Sequence, residues 1–204
     1  MGIAERKGRE RAEREQRIVA AAREIAEREG WDAVTIRRLA VEIEYSQPVL
    51  YSHFENRDAI VTAVAIEGFQ EITVALREAA SGSTGRSALK SVATAYLAFA
   101  LSHPALYEAM FILPTNLRFA EAATRPELRA GFEAIAAVVT PFCVDVEPAT
   151  ETFWAALHGL AELERSGRIR PSKRDGRITL LVRAIVVSRS PSARGTRAEP
   201  LHGR

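Results

Sequence analysis

The chain has 204 residues, of which 47% are hydrophobic and 26% charged, with a formal net charge of +2. This length suits one large or two small domains, and the apolar content is sufficient for a packed core. The single cysteine, Cys143, excludes an intrachain disulfide and a cysteine-rich metal site. Residues 1–16 have no apolar segment of the signal-peptide kind, and no apolar run approaches the roughly 20 residues of a membrane span. We therefore expect a cytoplasmic protein that does not enter a membrane.

The charges are unevenly distributed along the chain. Residues 168–204 contain ten Lys/Arg and two Asp/Glu, a surplus of eight, so the remaining residues carry about −6 of the total of +2. From Ser188 the sequence is rich in Ser, Pro and Arg, which predicts a disordered basic tail over residues 189–204.

The N-terminal segment divides into a polar part and an amphipathic part. Residues 1–11 are too polar to pack, and two interpretations stay open: a solvated, partly disordered arm, or an arm that contacts phosphates or a minor groove of DNA. Residues 12–29 carry apolar residues at helical spacing and are predicted to form a helix. Gly30 ends this helix, and Trp31 is expected to fold back on its end.

The segment 35–57 predicts two short helices joined by a tight turn. Thr35 is a good N-cap, and an apolar stripe follows at i, i+3, i+4 and i+7. Ser46 is a second N-cap, and Pro48 lies in the first turn, where its missing N–H has no cost. Leu50 and the phenylalanine four residues later point toward a core, so the small polar tip of the second helix is exposed. This arrangement is typical of a helix-turn-helix motif.

The same residues resemble a known family. Thr-Ile-Arg-Arg-Leu-Ala at 35–40, followed by Ser-Gln-Pro-Val-Leu-Tyr-Ser-His-Phe-Glu-Asn-Arg at 46–57, resembles the DNA-binding domain of TetR/AcrR-type bacterial transcriptional regulators. The family usually has Ala-Gly-Val-Ser at the turn, whereas residues 43–46 are Ile-Glu-Tyr-Ser. A left-handed residue other than glycine costs on the order of 1 kcal/mol. Either Glu44 is strained, or the turn and the angle of the second helix differ.

The first turn of the second helix supplies the candidates for base contacts. Gln47 suits adenine, and the apolar groups of Pro48 and Val49 suit a thymine methyl group. The competing interpretation is a merely exposed helix turn. Residues 1–58 contain eleven basic and twelve acidic residues, so DNA binding would depend on a local patch rather than on a broad positive field.

The resemblance also implies contacts with DNA phosphates from side chains and from the N-terminus of the helix that begins at Arg57. Arg37 and Arg38 are either backbone contacts or part of a solvated helix face. The complete set of predicted DNA-binding residues is Thr35, Arg37, Ser46, Gln47, Pro48, Val49, Tyr51, His53 and Arg57.

The rest of the chain is predicted to be helical. Asn56 caps a helix over residues 57–80, which is long for a globular protein and would connect two parts of the molecule. Proline and glycine residues delimit five further helices, the last two over residues 149–166 and 173–188. The predicted fold is all-α with about nine helices and no convincing strand. Its expected parts are a DNA-binding domain over residues 12–58, with the helix-turn-helix at about 35–54, and a ligand-binding and dimerisation domain over residues 59–188.

Aromatic and histidine residues in the second part suggest a ligand pocket. Trp154-x-x-x-His158-Gly159 resembles a motif in the C-terminal domains of one TetR subgroup, and Trp154 and His158 share a helix face. A histidine on an apolar face is either a satisfied core residue or a polar group in a pocket, and the aromatic residues are either core or cavity lining. We treat Cys143 as a buried structural thiol. The pocket candidates are Tyr96, His103, Tyr107, Phe111, Trp154 and His158, with Asn116 and Phe153 as further possible lining residues.

These features predict a transcriptional regulator, a repressor that a small apolar or aromatic effector releases from double-stranded DNA. Because helix-turn-helix dimers copy their symmetry into DNA, the operator should be palindromic and the protein a homodimer. The resemblance implies dimerisation through the last two helices, whose apolar residues are Phe153, Leu157, Leu160, Ile178, Leu181 and Ile185.

Two other classes of function were weighed. An enzyme is not expected, because the sequence contains no glycine-rich phosphate loop, no nucleophile elbow and no cluster with metal-ligand spacing; no cofactor or metal is expected either. The alternative is a helical interaction module that has lost DNA binding. The substituted turn at Glu44 and the nearly neutral N-terminal segment favour that alternative.

Overall fold

A computed structural model describes residues 2–119, 121 and 124–187. Over these residues the protein consists of nine α-helices and three short 3-10 segments, without a strand, which confirms the predicted all-α fold. The tail predicted over residues 189–204 lies outside the described residues. The helices are α1 (Ile3–Glu29), α2 (Ile36–Glu42), α3 (Gln47–His53), α4 (Arg57–Ala80), α5 (Gly85–Ser102), α6 (Pro104–Phe111), α7 (Pro126–Val139), α8 (Val146–Arg165) and α9 (Arg174–Val187).

The first helix is longer than predicted. It begins at Ile3 rather than at residue 12, so the interpretation of this segment as a partly disordered arm is wrong. Salt bridges at i, i+4 spacing join Arg6 to Glu10 (3.6 Å) and Arg11 to Glu15 (2.9 Å) along the exposed part. Such pairs stabilise the first turns of α1, which have no apolar face. In this segment the spacing of opposite charges predicts the helix, whereas the spacing of apolar residues does not.

Local signals account for the turn between α2 and α3. The Thr35 hydroxyl accepts a hydrogen bond of 3.1 Å from the Arg38 N–H and caps α2. Glu44 has a φ of +57°, so the left-handed turn is retained at the cost of backbone strain at a residue other than glycine. The Tyr45 N–H then reaches the Ala40 carbonyl oxygen at 2.9 Å. Ser46 occupies the N-cap of α3, but its hydroxyl makes no capping hydrogen bond.

Helix α4 is the central element and packs against α1, α5, α6 and α7. A Cβ at Gly68 would lie 2.5 Å from the Met110 sulfur, so this glycine allows α4 and α6 to approach closely. By length and composition alone α4 could cross a membrane, but half of its most apolar 18-residue window is buried inside the protein. A helix at the centre of a protein core has the same composition.

Helix α8 begins at Val146, earlier than the predicted residue 149. Pro148 lies in its first turn, where a missing N–H interrupts no helical hydrogen bond, so the proline does not break the helix. Glu164 near the end of α8 has a side chain only 2% exposed and forms ion pairs with Arg174 and Arg177 of α9. These pairs hold the last two helices together.

Candidate functional site

The first two turns of α3 present polar and small groups to solvent. Gln47 and Pro48 are exposed, Val49 is half-buried, and Tyr51 is 54% exposed. Leu50, between them, is fully buried against α1 and α2. This alternation places the predicted base-reading residues on the outer face of a helix that is anchored by its inner face.

The structure separates the two arginines of α2. The Arg38 guanidinium forms ion pairs with Glu29 (3.1 Å) and Glu42 (3.5 Å), whereas Arg37 is exposed and no ion pair within 4 Å is found for it among the described residues. Arg37 is therefore the better placed of the two for a phosphate. The Thr35 hydroxyl accepts a backbone hydrogen bond as a cap and retains its own proton for donation.

His53 and Arg57 have different surroundings from those expected. The side chain of His53 is 5% exposed, and its Nδ1 lies 3.2 Å from a Glu15 carboxylate oxygen of α1. Arg57 donates from Nε to the Val34 carbonyl oxygen (2.8 Å) and from a terminal nitrogen to that of Trp31 (2.7 Å). The His53 side chain thus joins α3 to α1, and the Arg57 side chain, 35% exposed, joins the start of α4 to the segment before α2.

The start of α4 itself remains available to an anion. The Asn56 side chain accepts a hydrogen bond of 2.9 Å from the Ala59 N–H, which satisfies one of the free backbone donors of the first turn. The positive end of the α4 dipole follows the end of α3 by three connecting residues.

One basic residue of the N-terminal segment, for which two interpretations were open, lies next to α3. The Arg11 guanidinium donates a hydrogen bond of 3.3 Å to the Ser52 carbonyl oxygen near the end of α3. The additional turns of α1 therefore lie beside the second helix of the helix-turn-helix. The i, i+4 pair that Arg11 forms with Glu15 is the only sequence signal for this placement.

A cavity of about 390 Å³ lies between α4, α5, α7 and α8. Of the pocket candidates, Tyr96, Phe111 and Trp154 line it, and Phe111, Trp154 and His158 line an adjoining open pocket of about 510 Å³. The cavity residues that were not predicted are on α4, α7, the first part of α8 and the segment after α6, and they gave no motif: Phe69, Ile72, Leu76, Phe119, Glu121, Thr124, Leu128, Arg129, Gly131, Phe132, Ile135, Glu147 and Glu151.

Four of the suggested pocket residues line neither the cavity nor the adjoining pocket, and one of them, Tyr107, is fully buried. His103 lies at the start of α6, where its ring packs on Phe99 (5.0 Å between centroids) and its Nδ1 is 2.9 Å from the Ser102 hydroxyl. Asn116 is exposed, and Phe153 is fully buried in the core. Helical periodicity could not distinguish a residue beside a cavity from one on the next helix face.

Four polar side chains form a chain of hydrogen bonds behind the cavity. Trp154 Nε1 donates to the Tyr96 hydroxyl (3.0 Å), which is 2.9 Å from the Tyr107 hydroxyl. That group lies 2.7 Å from Nδ1 of His158. Tryptophan can only donate a hydrogen bond. Every group is therefore satisfied when Trp154 donates to Tyr96, Tyr96 donates to Tyr107, and Tyr107 donates to Nδ1 of His158.

Burial keeps this chain uncharged. It raises the pKa of Tyr96 to about 12 and also raises the pKa of Tyr107, whereas it lowers the pKa of His158 below its ordinary 6.5. His158 is therefore a neutral hydrogen-bond acceptor at neutral pH. Both interpretations of this histidine therefore hold, because its Nδ1 has a hydrogen-bond partner and its side chain lines the adjoining pocket.

A polar cluster joins α1 to the start of α6. The Glu27 carboxylate accepts hydrogen bonds from the N–H groups of Ala105 (3.2 Å) and Leu106 (3.0 Å). Trp31 Nε1 donates to the Ala105 carbonyl oxygen (2.8 Å). Arg165 of α8 donates to the Pro104 carbonyl oxygen at 3.0 Å. Helix α6 is thus fastened to the helix-turn-helix part at one end and carries Tyr107 and Phe111 toward the cavity.

The predicted dimer residues are mostly internal. Phe153 and Leu157 of α8 are fully buried, and Ile178 and Ile185 of α9 are 1% and 6% exposed, within the protomer's own core. These four residues therefore cannot form a surface between protomers, because α8 and α9 use them to pack against α5. Leu160 and Leu181 are half-buried.

A helix-turn-helix motif with an exposed second helix, coupled to a cavity of ligand size, defines a DNA-binding regulator. Comparison with known families agrees: "Bacterial regulatory proteins, tetR family" matches residues 18–64, and "Tetracyclin repressor-like, C-terminal domain" matches residues 89–185. An uncharacterised HTH-type transcriptional regulator of Mycobacterium tuberculosis, Rv0681, is 33% identical over 155 residues, which are 74% of this chain and 69% of the relative.

Solved structures show the same fold. A Rhodococcus sp. RHA1 protein of unknown function superposes with a TM-score of 0.72 at 25% identity, over 87% of this chain and 95% of that one. A TetR variant from Acinetobacter baumannii in complex with minocycline gives 0.59 at 20% identity, over 85% and 97%. The chain belongs to the TetR family of bacterial transcriptional regulators. The resemblance of Trp154-x-x-x-His158-Gly159 to one subgroup stays a prediction.

Proposed function

We propose that this protein is a repressor that binds a palindromic operator as a homodimer and leaves it when a small molecule occupies the cavity of about 390 Å³. The observation that carries the proposal is the position of α4. Helix α4 begins at Arg57, after a three-residue connection from the end of α3, and farther along it supplies Phe69, Ile72 and Leu76 to the cavity wall. A single helix therefore runs from the end of the helix-turn-helix to the ligand site.

We assign each DNA contact from the chemical group that the residue exposes to solvent. Gln47, Pro48 and Val49 approach base edges, while Thr35, Arg37, Ser46, Tyr51 and the N-terminus of α4 approach phosphates. The contribution of His53 and Arg57 is indirect, because their side chains hold α3 and α4 against α1 and the 3-10 turn after it. The domain boundary near residue 58 then separates DNA binding from ligand binding and dimerisation, although α4 continues across it.

For the dimer we propose the outer faces of α8 and α9. Gly159 and Leu163 are one turn apart on α8, as Gly176 and Leu180 are on α9. Leu163 is 40% exposed and Leu180 is 65% exposed, and a Cβ added at either glycine would meet nothing within 4 Å. Small residues beside exposed leucines permit two copies of the helix pair to pack closely, and a symmetric contact of this kind gives a closed dimer.

We further propose that the effector acts through α4 and α6 together. A ligand beside Phe111 and Trp154 contacts the C-terminal end of α6, whose N-terminal end is fastened to α1 by Glu27 and Trp31. A packed helix moves as a unit, so a shift at the cavity reaches the DNA-binding part. The minocycline complex of the Acinetobacter relative is a precedent for a ligand-bound member of this fold. We expect the protein to act in the cytoplasm.

The test is selection of DNA fragments from a random pool by the purified full-length protein. Enrichment of an inverted repeat whose half-sites lie one helical turn apart, about 10 base pairs, supports the dimeric repressor. Failure to enrich any sequence, with DNA affinity equal to that of a variant carrying both Gln47→Ala and Tyr51→Ala, would favour the rival interaction module. The retained left-handed turn at Glu44 and the open face of α3 argue against that rival.

A further inference from the structure

We propose that the effector of this cavity is an organic cation with an aromatic or aliphatic body, held by carboxylates at the mouth and aromatic rings inside. This inference rests on the proposed function only in calling the ligand an effector. The ligand expected from the sequence is apolar or aromatic, and none of the predicted pocket residues is a carboxylate.

Four aromatic side chains line the interior wall, and each packs against two of the others. Phe69 is 5.3 Å from Phe111 and 5.6 Å from Phe119, and Trp154 is 6.0 Å from Phe111 and 6.2 Å from Phe119, measured between ring centroids. All four side chains line the cavity. The face of an aromatic ring attracts a cation electrostatically, most strongly for tryptophan, and quaternary ammonium groups are recognised in this way.

Carboxylates predominate among the charged groups that line the same cavity. The lining contains Glu121, Glu147 and Glu151 but a single basic residue, Arg129, so its formal charge is −2. Glu121 has a basic neighbour of its own, since Arg118 lies 3.4 Å from its carboxylate. The imbalance is unfavourable for a carboxylate or phosphate ligand and favourable for a cation.

Two of these carboxylates are directed to the cavity by helix geometry. Glu147, Glu151 and Trp154 follow one another at i, i+4 and i+7 on α8, so they share a face, and all three line the cavity. Neither glutamate has an ion-pair partner within 4 Å among the described residues. The dipole of α8 favours Glu147 in the first turn, but this effect fades beyond one turn and does not account for Glu151. Like charges at i, i+4 are unfavourable in an isolated helix, and a bound cation would remove that repulsion.

The carboxylates and the aromatic residues of the site differ in their exposure to solvent. The carboxylates are exposed, while Phe69 is 4% exposed and Tyr96 is 1% exposed. The apolar body of a ligand would therefore occupy the interior, and its cationic group would remain at the mouth between Trp154 and Glu151. A neutral molecule would use only the interior, and an anion would meet repulsion at the mouth.

The experiment compares three probes of similar shape by isothermal titration calorimetry with the full-length protein in the absence of DNA. They are (1-naphthylmethyl)trimethylammonium, the neutral hydrocarbon in which carbon replaces the nitrogen, and 1-naphthylacetate. We expect the cation to bind about tenfold more tightly than the hydrocarbon, and the anion to bind more weakly than both. Raising the salt concentration should reduce the preference for the cation, because exposed charges are screened.

The matched variants are E147Q/E151Q and, as a control, E133Q, which changes an exposed glutamate of α7 that does not line the cavity. The double variant should lose most of the tenfold preference and bind the hydrocarbon unchanged, while the control should behave as wild type. Thermal unfolding of each variant checks that the fold is intact.

Equal affinity for the cation and the hydrocarbon, tighter binding of the anion, absence of binding by all three probes, or an unchanged preference in E147Q/E151Q would each overturn the inference. Since the titration contains no DNA, its result is independent of repressor activity. A protein that prefers the cation but selects no DNA would overturn the proposed function alone.

Discussion

The Glu27 carboxylate of α1 accepts a hydrogen bond of 3.0 Å from the backbone N–H of Leu106, in the first turn of α6. It accepts a second bond from the Ala105 N–H at 3.2 Å, so a side chain from the DNA-binding part caps a helix of the ligand-binding part. Free N–H groups at a helix start are strong donors, and a carboxylate there is also favoured by the helix dipole. This contact joins the DNA-binding part of the molecule to the C-terminal part.

We expect Glu27→Ala to reduce the free energy of unfolding by about 1–2 kcal/mol, because two helix N–H groups lose their acceptor. Urea unfolding measures this change. Glu24→Ala is the control, since Glu24 is an exposed glutamate on the same helix and should cost less than about 0.5 kcal/mol. Equal losses in the two variants would show that the capping contact does not contribute.

A second prediction concerns base recognition by Gln47, which is exposed in the first turn of α3. Gln47→Ala should weaken binding to the selected operator by about 1–3 kcal/mol and relax selectivity at one or two base pairs. Competition binding with single-base operator variants measures both effects. A loss of the same size on every sequence would mean that Gln47 contacts the backbone and not a base.

Tyr51 is predicted to anchor the protein through a phosphate. Tyr51→Phe keeps the half-exposed ring and removes the hydroxyl, so affinity should fall by similar factors for operator and random DNA. Fluorescence anisotropy with both DNAs distinguishes the roles, with Ser52→Ala as a neighbouring control. If only operator binding suffers, Tyr51 reads sequence instead.

The Glu164 ion pairs predict a dependence of stability on pH. The hydrogen bond from Arg174 and the charges of Arg174 and Arg177 lower the pKa of Glu164 below its ordinary value of 4.5. A carboxylate with a lowered pKa stabilises the folded state above its unfolded pKa, and this contribution is lost as the pH falls through the folded pKa. Glu164→Gln should therefore cost about 3 kcal/mol at pH 7, and its difference from wild type should shrink below about pH 4.5.

Urea unfolding of both proteins between pH 7 and pH 3, at one fixed protein concentration, tests this prediction. Glu162→Gln serves as the control for a more exposed glutamate of the same helix, whose carboxylate is 3.1 Å from Arg165. A difference between wild type and Glu164→Gln that does not change with pH would assign the loss to packing rather than to charge.

The last prediction concerns the switch. Spin labels at Ser52, which is exposed on α3, report the separation of the two recognition helices in the dimer. DNA binding requires these helices to lie about 34–36 Å apart, and a ligand that releases DNA must favour another separation. Double electron–electron resonance should show a changed mean distance or a broader distribution when such a ligand is added. An identical distribution would exclude the proposed motion of α4 and α6.

The sequence by itself determined the helices and their limits. Asn56, Pro104 and Pro126 begin helices at the predicted positions, and Gly30 ends α1. These signals act within about one helical turn, because a cap or a proline changes hydrogen bonds that are local in the chain. Among the described residues the largest error in a helix limit, at the start of α1, arose where stabilisation comes from charge pairs instead of an apolar face.

The tertiary structure alone decided which side chains meet. His53 pairs with Glu15, 38 residues away, and Trp154 bonds to Tyr96, 58 residues away, so no local pattern indicates either contact. For the same reason, periodicity identified Phe153 and Ile178 as apolar and the family resemblance assigned them to a dimer surface, although they fill the protomer's own core. An apolar stripe specifies that a face is buried, and the packing of distant helices decides what covers it.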